Sequence, residues 1–258
     1  MHTSPLSRAL TLLNTHPEAS LKLQGMLRTH DCTTLLFDES HAPPQAVLIR
    51  ARRGFWSMFA DPDRPEALKL LLDQIDWSRS IDWAGVWEPL LPYITERADL
   101  AWSNPCIQAH LYPTADTRAA LLQHRGPDDA GLARPRPEHA PLILDHWPYG
   151  SSDDPGALKH IQERLEHAAV SGWFEGDRLV SWAMTHPDTS LGFMHTREAY
   201  RRRGIGHRVA ADLILKVIDR GWTPFCHVVE ANTAPLGMLK RLGFTPTKER
   251  YFWLSTRG

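Results

Sequence analysis

The clearest chemistry in the chain lies in Tyr200-Arg201-Arg202-Arg203-Gly204-Ile205-Gly206-His207. A glycine-rich turn that opens a helix aims several unpaired backbone N–H groups at one point, together with the positive end of the helix dipole. A pyrophosphate fits such a point. Glycine is suited to positions 204 and 206 because a side chain there would block close approach of the phosphates. Arg202, Arg203 and His207 can add positive charge. The plainer alternative is a basic helix start with a packing glycine. Two other nucleotide motifs are missing. There is no Gly-Lys-Ser/Thr, so a P-loop is excluded. The spacing is not Gly-x-Gly-x-x-Gly, and no acidic residue follows a second parallel strand at the right distance.

The flanking elements give this segment its context. A strand is expected over Leu191–Thr196. From Gly204 to Ile218 the positions Ile205, Val209, Leu213 and Val217 make a helical stripe, widened by Ile214 and Ile218 and closed by Gly221. Upstream, Asp154–Ala169 reads as a helix after the Ser151-Ser152-Asp153-Asp154-Pro155 entry. Gly172–Phe174 and Leu179–Thr185 read as a hairpin. Downstream, Pro224–Glu230 reads as a strand, Thr233–Leu242 as a helix closed by Gly243, and Lys248–Leu254 as a final strand. The order is helix, three strands, helix, strand, helix, strand, an α/β mix around one sheet.

The first half carries weaker signals. Pro5–Leu13 and Arg64–Ile75 read as helices, and Thr33–Phe37 and Ala46–Ile49 as short strands. Trp56, Trp77, Trp83, Trp87 and Trp102 fall here, as core or as the lining of a pocket. Gly126-Pro127-Asp128-Asp129 and Arg134-Pro135-Arg136-Pro137 mark a loop or linker near 125–141. This places a division between domains 1–130 and 135–258, in line with a length of 258 residues.

Composition narrows the classes. With 29 Lys and Arg against 30 Asp and Glu, the net charge is −1, which argues against a general binder of nucleic acid or of membrane surfaces. No apolar run approaches the roughly 20 residues of a membrane span. Met1-His2-Thr3-Ser4-Pro5 does not read as the start of a signal peptide. Cys32, Cys106 and Cys226 have neither metal-ligand spacing nor an even count, which suggests a reduced cytoplasm. The 14 histidines are scattered and carry no metal-binding pattern, so no metal is expected.

Taken together, strand, Arg201-x-x-Gly204-x-Gly206, helix, strand, Asn232, helix and Leu242-Gly243-Phe244 resemble the acyl-CoA-binding core of the GNAT superfamily of N-acyltransferases. Within it the chain is most similar to the glycine N-acyltransferase family. Asp145-His146-Trp147-Pro148-Tyr149-Gly150 resembles that family's Asn-x-x-Trp-x-x-Gly entry. Thr196 with Ala199-Tyr200-Arg201 resembles its Thr-Leu-Pro-Glu-Tyr-Arg, and His227-Val228 its Ser-His-Val strand. The GNAT resemblance covers 135–258. For 1–130 it rests on length and on Trp placement near Ile81-Asp82-Trp83.

The resemblance implies an α/β (α+β) GNAT fold, a central mixed sheet flanked by helices, with an N-terminal α/β domain that can itself be GNAT-like. It implies acetyl-CoA or another acyl-CoA as co-substrate, no metal, and a small-molecule amine such as an amino acid as acceptor, in a monomer or homodimer. Met194, His195 and Thr196 would meet the pantetheine and thioester. Arg201, Arg202, Arg203, Gly204, Ile205, Gly206 and His207 would form the pyrophosphate loop, and Asn232 would sit near the pantetheine. The amine would attack the thioester carbonyl directly and coenzyme A would leave. Two residues depart from the family pattern. Leu239 stands where GNATs often have a Tyr general acid, and Ser190 stands where many have a carboxylate or His. His227, five residues before Asn232, is the remaining candidate base, with a structural histidine as the alternative. His195, Asp188 and Glu230 are weaker candidates. The rival reading is a coenzyme-A-binding sensor or assembly module without turnover, and a further one is acetylation of a protein or antibiotic amine.

Overall fold

Ser4 starts the first helix: its hydroxyl accepts the Ser7 N–H at 3.2 Å and Pro5 fills the first turn, giving α1 (Pro5–Leu13). The computed structural model describes residues 4–61, 64–127, 130–151 and 153–258. Asp128, Asp129 and Ser152, named above in a linker and a helix entry, and Met1-His2-Thr3 lie outside these residues. The chain forms two compact units. The first holds the residues up to Ala109 with His227–Thr233 and Pro246–Gly258, and the second holds His110–Cys226 and Ala234–Thr245.

In the first unit α1 is followed by α2 (Leu21–Arg28), β1 (Thr34–Phe37), β2 (Ala46–Arg50), β3 (Trp56–Ala60), α3 (Glu66–Leu72), β4 (Asp82–Trp87), α4 (Pro92–Thr95) and β5 (Leu100–His110). The second adds α5 (Ala115–Arg125), β6 (Leu132–Ala133), α6 (Ala140–Asp145), α7 (Pro155–His167), β7 (Val170–Glu175), β8 (Arg178–Thr185), β9 (Leu191–Thr196) and α8 (Ile205–Asp219). The chain ends with β10 (Phe225–Val229), α9 (Thr233–Arg241) and β11 (Thr245–Thr256).

The elements form a mixed α/β fold with a central mixed sheet flanked by helices. A seven-stranded sheet runs β1-β2-β3-β4-β11-β5-β10. Its β1–β2, β2–β3 and β4–β11 pairs are antiparallel, and β3 meets β4 in parallel. A four-stranded antiparallel sheet runs β6-β7-β8-β9. The strands from 170 onward therefore do not make the one sheet expected. Among the described residues no ladder joins β9 to β10. The reason lies in β11, whose Phe252 and Leu254 are buried against Leu68, Trp83 and Val86, so the last strand completes the first unit's sheet.

The 125–141 stretch, which composition marks as loop or linker, is tied into the second unit. Leu132 and Ala133 pair with Trp173 and Gly172, and the Arg134 guanidinium donates to the carbonyls of Leu165, Glu166 and Ala168. Of the first-half tryptophans, Trp83 is core, Trp56, Trp77 and Trp87 pack against it, and Trp102 is exposed. Leu254→Ala should lower the unfolding free energy by about 2–5 kcal/mol, measured by urea denaturation, because a fully buried side chain leaves a cavity.

Candidate active site

In the second unit β9 is not a regular strand. Its pairing with β8 shifts between Trp182↔His195 and Met184↔Gly192, so two residues, Phe193 and Met194, oppose the single Ala183. Such a bulge leaves one residue outside the ladder and re-aims the backbone around it. Phe193 has φ +52°, a conformation bulky residues rarely take. Its ring is held by Trp147 and His186, with centroids 4.8 and 4.5 Å away.

Thr196 ends the strand in a short hydroxyl chain. Ser181 Oγ donates to the His195 carbonyl at 2.9 Å, which leaves the Thr196 hydroxyl to donate to Ser181 Oγ at 2.8 Å. Arg201 Nε donates to the Thr196 carbonyl at 3.0 Å, tying the following loop to the strand. The loop then turns twice through the left-handed region, at Arg202 (φ +60°) and at Gly204 (φ +78°).

Gly204 caps α8, and its carbonyl accepts the Arg208 N–H at 3.1 Å. No side chain caps this helix and no acidic residue lies in its first turn. The N–H groups of Ile205, Gly206 and His207 therefore lack intrahelical acceptors, and the dipole adds positive potential. A Cβ at Gly206 would stand 2.7 Å from Thr196 Oγ1, whereas a Cβ at Gly204 would meet nothing within 4 Å. Gly206 thus permits close packing on β9, and Gly204 permits the turn beside open space. Farther along, α8 is clamped to β7: Lys216 pairs with Asp212 at 2.6 Å and donates to the Val170 carbonyl at 3.0 Å, while Ser171 Oγ donates to Asp212 at 2.6 Å. An uncapped helix start, exposed Arg202 and Arg203, and a bulged strand beside it make a cradle suited to a pyrophosphate and the chain attached to it.

Comparison with known proteins bears on the fold. Residues 170–254 match the family model described as FR47-like protein. A Drosophila protein of known structure is 20% identical with a TM-score of 0.71, over 98% of this chain and 97% of that one. A GCN5-related N-acetyltransferase-like protein from Streptococcus suis is 18% identical with a TM-score of 0.58, over 97% and 98%. A tandem GNAT protein from the clavulanic acid biosynthesis pathway is 12% identical with a TM-score of 0.58, over 97% and 93%. The fold is the GNAT fold. No curated protein matches the chain.

Two of the histidines that sequence assigns to this site have lowered pKa values. His195 stacks on His146 (centroids 4.4 Å apart) and on Trp182 (4.8 Å), and those two rings are themselves 5.7 Å apart. Burial, then His146, Arg201 and Arg197, push its pKa down to about 4. His207 Nε2 lies 3.0 Å from His124 Nδ1, and burial, His124 and Arg241 lower its pKa. Positive charge at the cradle comes from the arginines and the helix dipole. Met194 is half-buried on β9.

His227 and Asn232 belong to the first unit. Asn232 is exposed in the turn after β10, its N–H donating to the Val229 carbonyl at 2.8 Å. His227 is half-buried and stacks on Tyr251 with ring centroids 4.9 Å apart. Its Nε2 lies 3.1 Å from Gln108 Oε1, while Gln108 Nε2 donates to the Glu18 carbonyl at 2.8 Å. The amide is thereby oriented with its oxygen toward His227 Nε2. Gly85, at φ +66°, makes room for Lys22 and for this ring: a Cβ there would lie 2.6 Å from Lys22 Cδ and 2.9 Å from His227 Cε1.

The other candidates are placed as follows. Ser190 is buried and donates both its N–H and its hydroxyl to Asp188, and so holds a turn. Leu239 is buried. Glu230 faces Arg250 at 3.9 Å. Among the described residues no group of three His, Cys, Asp or Glu could hold a metal, and no helix is long and apolar enough to cross a membrane.

The depressed His195 pKa has a direct consequence. Below about pH 6.5 the unfolded chain takes up a proton that the folded chain refuses until about pH 4, so stability should fall across that window as pH drops. His195→Phe keeps the stack and removes the titrating group. Its Tm should fall less than that of the unsubstituted protein between these limits, with the His207 contribution common to both. Equal slopes would contradict a neutral His195.

Proposed function

We propose that the protein is an acyl-CoA-dependent N-acyltransferase. It moves an acetyl or longer acyl group to a primary amine of a small molecule, an amino acid being the acceptor class that the glycine N-acyltransferase resemblance implies. The observation that carries this reading is the uncapped start of α8 packed against the bulge of β9. An acyl-CoA supplies an activated thioester when bound. In this reading Arg202, Arg203 and the first-turn N–H groups of α8 hold its pyrophosphate, and Arg201 fixes the loop. The backbone of Met194–Thr196 holds the pantetheine and polarises the carbonyl. Asn232 supports the pantetheine. His227 accepts, through water, the proton that an ammonium acceptor must lose before it can attack. Residues 135–258 would carry acyl-CoA binding and 1–130 a substrate or structural role.

A second reading, a coenzyme-A-binding module without turnover, draws support from Leu239 and Ser190, which can serve as neither acid nor base. Positioning alone can drive aminolysis of a thioester, which favours the enzyme.

The first of two experiments tests the coenzyme A binding that both readings share, and the second separates them. Acetyl-CoA at a hundredfold excess over Kd should add about 2.7 kcal/mol of stability, and Gly206→Asp should abolish that gain while the protein still folds. A carboxylate there would meet both the pyrophosphate and Thr196. Undiminished acetyl-CoA affinity in the variant would remove the loop from the phosphate site. In turnover assays with mixed amines, His227→Ala should lower kcat by roughly 10²–10⁴ with acetyl-CoA affinity nearly unchanged. Binding without any turnover in the unsubstituted protein would establish the module instead.

A further inference from the structure

A strand sends alternate side chains to the two faces of its sheet. At the end of β9, Thr196 faces α8, with its Oγ1 against Gly206. His195 and Arg197, on either side of it in the chain, therefore project to the opposite face, where α6 and α7 pack around Trp182 and Phe193. Arg197 continues the ladder past Thr196, its N–H donating to the Val180 carbonyl at 2.9 Å. His195 stacks on Trp182 and on His146, which lies between α6 and α7. The result is a half-open shelf, with His146 exposed and His195 and Arg197 half-buried. We propose that this shelf binds the carboxylate of the acceptor, so that the amine taken is an α-amino acid and not a plain amine. This rests on the N-acyltransferase reading and gives its acceptor a place within the second unit.

The charge of the shelf calls for an anion. Besides burial, the groups that act on His195 are His146, Arg201 and Arg197, each of them a cation or an imidazole. A bound carboxylate would offset that surplus of positive charge. Among the described residues the Arg197 guanidinium has no ion pair and no hydrogen bond, although the residue is half-buried. The carboxylate next to it in the chain, Glu198, is exposed and makes no ion pair with it. Arg201, by contrast, is engaged through Nε with the Thr196 carbonyl. A guanidinium presents paired N–H donors that match the two oxygens of a carboxylate, and neutral imidazoles add further N–H donors.

The position of the shelf agrees with its charge. His195 belongs to Met194–Thr196, the stretch whose backbone holds the thioester in the reading above. In an α-amino acid a single carbon separates the carboxylate from the nitrogen. A carboxylate held by Arg197 and the two imidazoles therefore keeps the amine beside the end of β9. Arg202 and Arg203 lie beyond the turn that leads into α8, so the pyrophosphate and the carboxylate draw on different arginines. A monoamine or a diamine without a carboxylate would leave Arg197 unmatched and would meet like charge.

The test is a titration of the full chain with N-acetylglycine and with N-acetylglycinamide, which has the same shape without the charge. Binding is followed by NMR of the histidine ring signals. N-acetylglycine should shift the rings of His195 and His146 and should bind at least roughly tenfold more tightly than the amide. Arg197→Gln should bring the acid down to the level of the amide, with unchanged Tm and unchanged acetyl-CoA affinity. In turnover assays the same variant should raise KM for glycine by roughly tenfold and keep kcat. Equal affinity for acid and amide in the unsubstituted protein would overturn the proposal, as would no binding of either. A preference for the acid that survives Arg197→Gln would overturn it too. Acetyl-CoA binding is measured separately, so the two readings fail separately. A protein that does not bind acetyl-CoA loses the acyltransferase assignment, and one that binds it without preferring the acid loses only the shelf.

Discussion

The site in the second unit depends on one close approach. The first turn of α8 can lie against the end of β9 only because residue 206 has no side chain, with Thr196 Oγ1 occupying the space a Cβ would need. From that contact follow the other features. Thr196 is held by its hydroxyl chain to Ser181 and by Arg201 on its carbonyl, so the strand end and the loop are fixed together. The clamp of Asp212 and Lys216 on β7 keeps the helix in line several turns later. A helix start presented in this way directs its N–H groups without a side chain competing for them.

Charge is distributed with the same economy. Burial and cationic or imidazole neighbours push the pKa of His195 down to about 4 and lower that of His207. The positive potential rests on arginines and on the helix dipole, which do not switch off between pH 5 and 8.

Much of the second unit was legible because its signals are local. The stripe of α8, the loop before it, β9 and the helix α7 lie where residue spacing puts them. The first unit was harder, for identifiable reasons. In α2 every residue from Leu21 to Leu27 is buried, Lys22 and Gln24 included, so no apolar stripe stands out. β4 contains Gly85 and β5 contains Asn104-Pro105, both poor strand signals. Gln108 could not have been singled out, since its contact with His227 spans 119 residues of chain. The bulge at Phe193 has no sequence mark either: the rings packed on Phe193, Trp147 and His186, are 46 and 7 residues away in the chain. The single sheet expected for the later strands fails on a nonlocal fact, the burial of β11 against β4.

The central claim is that the uncapped start of α8 and the bulged strand beside it hold the pyrophosphate and pantetheine of coenzyme A. Amide-detected NMR during titration with coenzyme A tests it residue by residue. The account predicts that the N–H resonances of Ile205, Gly206, His207 and Met194 shift most and saturate together. Saturable binding that leaves those four resonances in place while others move would contradict it.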